Sequence, residues 1–145
     1  MKKNKTKVLF LCVHNSARSQ MAEAFLKKFY PDRFEVKSAG VVSTKLNPYV
    51  VKVMEEIGID MSSHYSKSMK VFLDDYFDLV VAVCDNLREK CPYFPKNRKY
   101  IHKKFEDPSS VSGSEEEKLK KIRKIRDEIQ EWVENYFSNR FVSLI

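Results

Sequence analysis

Four apolar residues in a row, Val8 to Leu11, lead into a thiol at Cys12. A second run, Phe77 to Val83, apolar except at Asp78, leads into another at Cys84. Apolar runs of this kind read as strands of a buried parallel sheet. Between them the period changes. Ala22, Phe25, Leu26 and Phe29 fall on one side of a helix, with Lys27 and Lys28 turned to water, until Pro31-Asp32 stops it. Phe34 to Ser38 reads as a short second strand closed by Ala39-Gly40. Asn47-Pro48 pairs a cap with a proline at the first helical position, and Val50, Val51, Met54 and Ile57 form the apolar face that follows. Gly58 fits the left-handed position that ends such a helix.

Ile59 to Lys70 is polar and reads as a turn or a short helix. Tyr100 to His102 reads as a short fourth strand, and Phe105 to Ser114 as a loop. Ser114 with Glu117 predicts a capping box, with Glu115 and Glu116 also in the first turn. Leu119, Ile122, Ile125, Ile129, Trp132, Val133 and Tyr136 then recur at helical spacing, so a long helix closes the chain, with Trp132 in its core face. The pattern predicts one α/β domain over residues 8–145, after a flexible basic tail at residues 1–7. Its four-stranded parallel sheet has the order 2-1-3-4, with helices on both faces. In such a sheet a ligand sits outside the carboxyl end of the strand where the order reverses, which is strand 1.

Composition narrows the setting. The chain has 145 residues, 43% hydrophobic and 32% charged, as expected of a water-soluble domain. No apolar run approaches the roughly 20 residues of a membrane span, and MKKNKTK is not followed by a signal-peptide core. Three cysteines, an odd number, argue against a permanent disulfide framework. A reducing, cytoplasmic setting is therefore expected, with no membrane partner and a monomeric state. The net charge of +7 suits recruitment of a small anion. No aromatic-interleaved basic stripe or zinc-finger spacing accompanies it, so nucleic acid is not an expected partner.

Chemistry concentrates between Cys12 and Arg18. Five residues separate them, and Asn15, Ser16 and Ala17 are short enough for successive backbone N–H groups to converge on one point. A nest of that kind, backed by the first turn of a helix, attracts an oxyanion and favours a thiolate. Arg18 adds a planar fork of donors for two oxygens of a tetrahedral anion. The alternative is a buried strand-end cysteine followed by a surface arginine. Cys84 and Cys91 lie seven apart, without the spacing of a zinc site. In a helix, seven residues would hold their Cα atoms about 10.5 Å apart. A disulfide requires roughly 4.4–6.8 Å, so the pair can bond only if the segment unwinds. Taken alone, Cys84 is equally well read as core packing. But Cys12 and Cys84 end what should be adjacent strands, and a reaction that must deliver two electrons has a use for that neighbourhood.

CVHNSARSQMAE resembles the catalytic loop of the low-molecular-weight tyrosine phosphatase fold, whose signature is cysteine, five residues, arginine, serine. With the 84/91 pair and Asp107-Pro108, the chain is most similar to the thioredoxin-coupled arsenate reductases of that fold. The resemblance implies that Cys12 attacks arsenate while Arg18 and the loop, Val13, His14, Asn15, Ser16 and Ala17, hold the oxyanion. Cys84 would then attack the adduct and expel arsenite, and Cys91 would attack Cys84. The resulting Cys84–Cys91 disulfide would be reduced by thioredoxin or a similar dithiol protein. Ser19 would donate to the nucleophile, Asn15 brace the loop, and Asp107 protonate the leaving oxygen. On its own, Asp107 also reads as a turn-initiating aspartate before proline. His14 either helps keep Cys12 deprotonated or merely lines the loop. No tightly bound cofactor is implied, and phosphate or sulfate are the other expected ligands.

Some members of that family bind potassium through an asparagine, a glutamate, a serine and an aspartate. Asn15, Glu23 and Ser38 match three of them, but Lys67 takes the last place and argues against the cation. Two other functions compete. A phosphatase would use Cys12, Arg18 and Asp107 through a cysteinyl-phosphate. However, Ser109-Ser110 stands where phosphotyrosine-binding enzymes of the fold carry paired aromatics, and Phe105 is the single aromatic nearby. The other competitor is a non-catalytic oxyanion or redox sensor.

Overall fold

Each strong apolar run becomes a strand. In the computed structural model, which describes residues 5–85 and 90–138, β1 (Thr6–Cys12), β2 (Phe34–Gly40), β3 (Phe77–Ala82) and β4 (Asn97–His102) form one parallel sheet in the order β2-β1-β3-β4. β1 starts at Thr6, so Thr6 and Lys7 of the basic start already pair with β2, whereas residues 1–4 lie outside the described part. The alternation of the pleat divides β1 between two cores. Val8, Phe10 and Cys12 face one cluster, while Leu9 and Leu11 face the other. The first cluster takes the buried faces of α1 (Arg18–Phe29), α2 (Pro48–Glu55) and α3 (Glu115–Tyr136). The second face is covered by Met69 and Phe72 of a single 3-10 turn (Met69–Phe72) and by Phe94. The polar stretch 59–70 thus supplies the start of that turn.

The helix signals act where the sequence places them. The Asn47 side chain accepts from the Tyr49 N–H at 2.9 Å, with Pro48 at the first helical position. Gly58, three residues past the end of α2, sits at φ 81° in the left-handed region. Ser114 and Glu117 cap each other, each side chain accepting from the other's backbone N–H at 3.2 Å. β4 is twice the expected length, beginning at Asn97. Its first three residues are polar and mostly exposed, because an edge strand needs backbone pairing on one side only.

α3 also reaches the loop that follows β4. Trp132 stacks on Tyr136 at 4.7 Å and meets Phe105 edge-on at 6.1 Å. Phe105 is buried, and with Pro108 it anchors that loop on the core. Among the described residues, no helix is long and apolar enough to cross a membrane.

Candidate active site

β1 and β3 deliver their thiols to the same edge of the sheet. Leu11 pairs with Ala82, and the Val83 N–H donates to the Leu11 carbonyl at 2.8 Å. Cys12 and Cys84 therefore leave adjacent strands side by side, both at the carboxyl end.

Past Cys12 the chain turns sharply at Asn15, whose φ of 52° is left-handed and is the single positive φ outside glycine among the described residues. Asparagine tolerates that region, and here its side chain explains why it is worth occupying. Nδ2 donates to Ser19 Oγ at 2.7 Å and to Ser38 Oγ at 3.0 Å. Oδ1 accepts from Gln20 Nε2 and from the Lys67 N–H, each at 2.9 Å. The Ser19 hydroxyl, which accepts from Asn15, also bonds to Cys12 Sγ 2.9 Å away. The Asn15 N–H donates to the same sulfur at 3.2 Å. Cys12 is thus nearly enclosed, at 2% exposure, with donors turned toward it.

α1 begins at once, and Ala17 caps it without any side-chain hydrogen bond. The backbone N–H groups at such a helix start form a natural site for an anion. Arg18, 3% exposed, donates through Nη1 to the Phe105 carbonyl at 3.3 Å, and its Nη2 lies 3.7 Å from Asp107 Oδ2. The other oxygen of Asp107 accepts from the Ser109 N–H at 2.9 Å. Asp107 thus starts the turn before Pro108, and that turn places its second oxygen toward the arginine. A cavity of about 450 Å³ opens beside it, lined by Val13, His14, Asp85, Lys104, Glu106, Asp107 and Ser110. His14 is exposed at its rim, while its carbonyl is held by Ser66 at 2.8 Å. The Ser16 carbonyl accepts from the Asn47 N–H at 2.9 Å, tying the loop to α2.

Two supports had no recognisable signal of this kind in the sequence. A Cβ on Gly40 would stand 2.6 Å from the Val13 carbonyl oxygen and 2.8 Å from the Asn15 nitrogen, both backbone atoms that cannot yield. Gly40 thus permits the loop to lie against β2. Gln20 holds the Asn15 carbonyl, the Asn15 side chain and the Tyr65 carbonyl through one nitrogen, and its oxygen faces His64 Nδ1 at 3.0 Å. That partner sets the His64 proton on Nδ1, and burial holds the imidazole below its ordinary pKa.

At the end of β3, Cys84 is joined to Cys91 in a disulfide, with Cα atoms 5.9 Å apart. That is about half the separation expected of a helical span. The helix considered for this segment falls mostly on residues 86–89, outside the described residues. Cys84 has no exposure, whereas Cys91 is half-buried.

The comparisons decide the family. The model for the low molecular weight phosphotyrosine protein phosphatases matches residues 7–141. An arsenate reductase of Halalkalibacterium halodurans is 41% identical over 133 residues, 92% of this chain and 96% of that one. The chain belongs to the arsenate reductases of this phosphatase family. An arsenate reductase of Bacillus subtilis is 43% identical over 122 residues, covering 84% of this chain and 88% of its own. A solved arsenate reductase in the phosphate binding state superposes with a TM-score of 0.78 at 33% identity, over 92% of this chain and 97% of that one.

The family's potassium donors do meet here. Ser38 Oγ donates to Glu23 Oε1 at 2.5 Å, and Asn15 bonds to Ser38. They do not fit a cation. Glu23 Oε2 already holds the Lys27 ammonium at 2.6 Å, and Lys27, Lys37 and Lys67 line the same pocket. Burial depresses the Lys67 ammonium while Glu23 supports it, and three lysines around this one carboxylate supply the positive charge that a metal ion would bring.

Proposed function

We propose that this protein reduces arsenate to arsenite by a relay of its three cysteines. The observation that carries the reading is the Cys84–Cys91 disulfide on the strand beside Cys12. A phosphatase needs no such pair; two-electron reduction does. Arsenate enters the cavity between the Cys12 loop and Asp107, held by Arg18 and the backbone N–H groups at the start of α1. Cys12 attacks arsenic, and Asp107 protonates the departing oxygen, giving a cysteinyl-arsenic adduct. Cys84 then attacks Cys12 sulfur. The electron pair of the sulfur–arsenic bond leaves with arsenic, arsenite departs, and Cys12–Cys84 forms. Cys91 attacks Cys84, restoring Cys12 and leaving Cys84–Cys91 for a thioredoxin-like dithiol protein.

Ser19 and Asn15 serve the first step by holding the sulfur and the loop, and Val13, His14, Ser16 and Ala17 form its wall. The same Cys12, Arg18 and Asp107 set supports slow hydrolysis of a simple phosphate ester. Among the described residues, no Phe, Tyr or Trp lines the cavity beside Asp107, which argues against phosphotyrosine as substrate. Arsenite formed with and without thioredoxin, followed by peptide mapping of disulfides trapped after one turnover, tests the reading. Multiple turnover by Cys91→Ser with thioredoxin as sole reductant would defeat the three-cysteine relay.

A further inference from the structure

The exposed end of β4 carries a histidine that this chemistry has not used. Tyr100 and His102 share a face of β4, and both touch the redox segment. The Tyr100 hydroxyl donates to the Pro92 carbonyl at 3.0 Å. His102 Nε2 meets the Cys84 carbonyl in a close contact and stands 3.8 Å from Cys91 Sγ. The imidazole nitrogen and the two sulfurs all lie within 4.8 Å of one another. β4 thus pins the chain on one side of Cys91 and presents an imidazole to the bond itself.

The accessibility of the two sulfurs decides why a proton is needed there. An incoming thiolate reaches half-buried Cys91 before Cys84, which has no exposure. The bond then breaks with its electron pair on Cys84, at the apolar end of β3. A thiolate left in such surroundings is costly, and a leaving sulfur departs faster when its charge is neutralised.

We propose that His102 is the general acid for opening the Cys84–Cys91 disulfide. The reductant's thiolate bonds to Cys91 sulfur, the Cys84–Cys91 bond breaks, and His102 passes its proton to Cys84. The second thiolate of the same dithiol then attacks its partner sulfur and releases Cys91. The dithiol has lost two electrons, the protein has two thiols, and His102 takes a proton back from solvent. In the opposite sense, His102 accepts the Cys91 proton when that thiol attacks Cys84. The assignment rests on the relay for its place in the cycle, but the opening step can be followed without arsenate.

The test uses oxidised full-length protein with dithiothreitol as the probe, reading the appearance of the Cys84 and Cys91 thiols by mass spectrometry. His102→Gln keeps an N–H for the Cys84 carbonyl but has no proton to give. It should open the disulfide more slowly, on the order of 100-fold, while hydrolysing an aryl phosphate at the wild-type rate. His102→Ala should be slow in the same way and regain speed with added imidazole. Unchanged opening in both variants overturns the assignment. So does a loss shared equally with aryl phosphate hydrolysis, or an alanine variant that imidazole does not rescue. Arsenate turnover failing in wild type would count against the relay alone, because the opening rate is measured independently of it.

Discussion

The ends of β1 and β3 both present a cysteine at the carboxyl edge of one sheet, yet they are held in different ways. Around Cys12, every neighbour is itself held: Asn15 by Ser19, Ser38, Gln20 and Lys67, and the loop's close approach by Gly40. The described anchors around Cys91 include the disulfide, the Tyr100 hydroxyl on Pro92, His102, and packing of Cys91 against the core, and Cys91 stays partly open to solvent. The first arrangement suits a site where donors must already point at the charge that develops. The second suits a bond that must be made and broken in every cycle by a partner reaching in from solvent. One sheet edge thus couples a fixed anion site to a labile dithiol.

The largest expected effect removes the fixed site's nucleophile. Cys12→Ser should abolish both arsenite production and aryl phosphate hydrolysis, and Arg18→Ala should cripple both, while circular dichroism shows the fold intact. Retained arsenate turnover in Cys12→Ser would defeat the central role given to this loop.

Next come the labile pair, whose loss should separate the two activities. Cys84→Ser should stall at the cysteinyl-arsenic adduct. Cys91→Ser should stop after about one arsenite per enzyme, with Cys12–Cys84 trapped. Both should hydrolyse an aryl phosphate normally. If they lose that activity too, the two regions are not functionally separate. Asp107→Asn belongs to the fixed side again. Formation of the adduct, read in a single turnover, should slow roughly 100-fold with little change in phosphate affinity, because an acid acts chiefly in the transition state.

Gly40→Ala probes the bracing itself. Its Cβ would fall 2.6 Å from a backbone oxygen, an overpacking that typically costs about 1–3 kcal/mol. Urea unfolding should show that loss, and aryl phosphate hydrolysis should fall with it. Opening of the Cys84–Cys91 disulfide by dithiothreitol should remain at the wild-type rate. An equal slowing there would mean that distortion spreads across the sheet.

What could be read from the chain follows the range of the contacts involved. β1, α1, the caps at Asn47 and Ser114, and the strand order rest on local periodicity or on neighbouring residues, and these were legible. The Cys12-to-Arg18 spacing was legible for the same reason. Gly40 was visible as a strand end but not as the seat of the loop, because its crowding comes from residues 25–27 positions earlier. The Lys67 N–H on Asn15 spans 52 positions and uses a backbone atom, so residue type carries no trace of it. β4 was half missed because Asn97, Arg98 and Lys99 look like loop residues on an edge that faces water. His102 was counted as the end of a strand; its chemistry appears only when β4 lies beside the dithiol.

The smallest effect is an acid sensitivity confined to the braced side. Burial holds His64 below the ordinary imidazole value of 6.5, outweighing the pull of Glu23, while Lys27 and Lys67 push the same way as burial and Asp60 opposes it weakly. The unfolded chain then binds the His64 proton more readily than the folded one. Folding stability from this group is complete above about pH 6.5 and declines as pH falls from there through the lower folded value. His64 is partly open to solvent, so the change should be small. His64→Gln can still donate to Gln20 but does not titrate. Urea midpoints at pH 7.5 and 5.5 should therefore lie closer together in His64→Gln than in wild type. Equal spacing in the two proteins would mean that the imidazole is as easily protonated folded as unfolded, and that the Gln20 brace is indifferent to its charge.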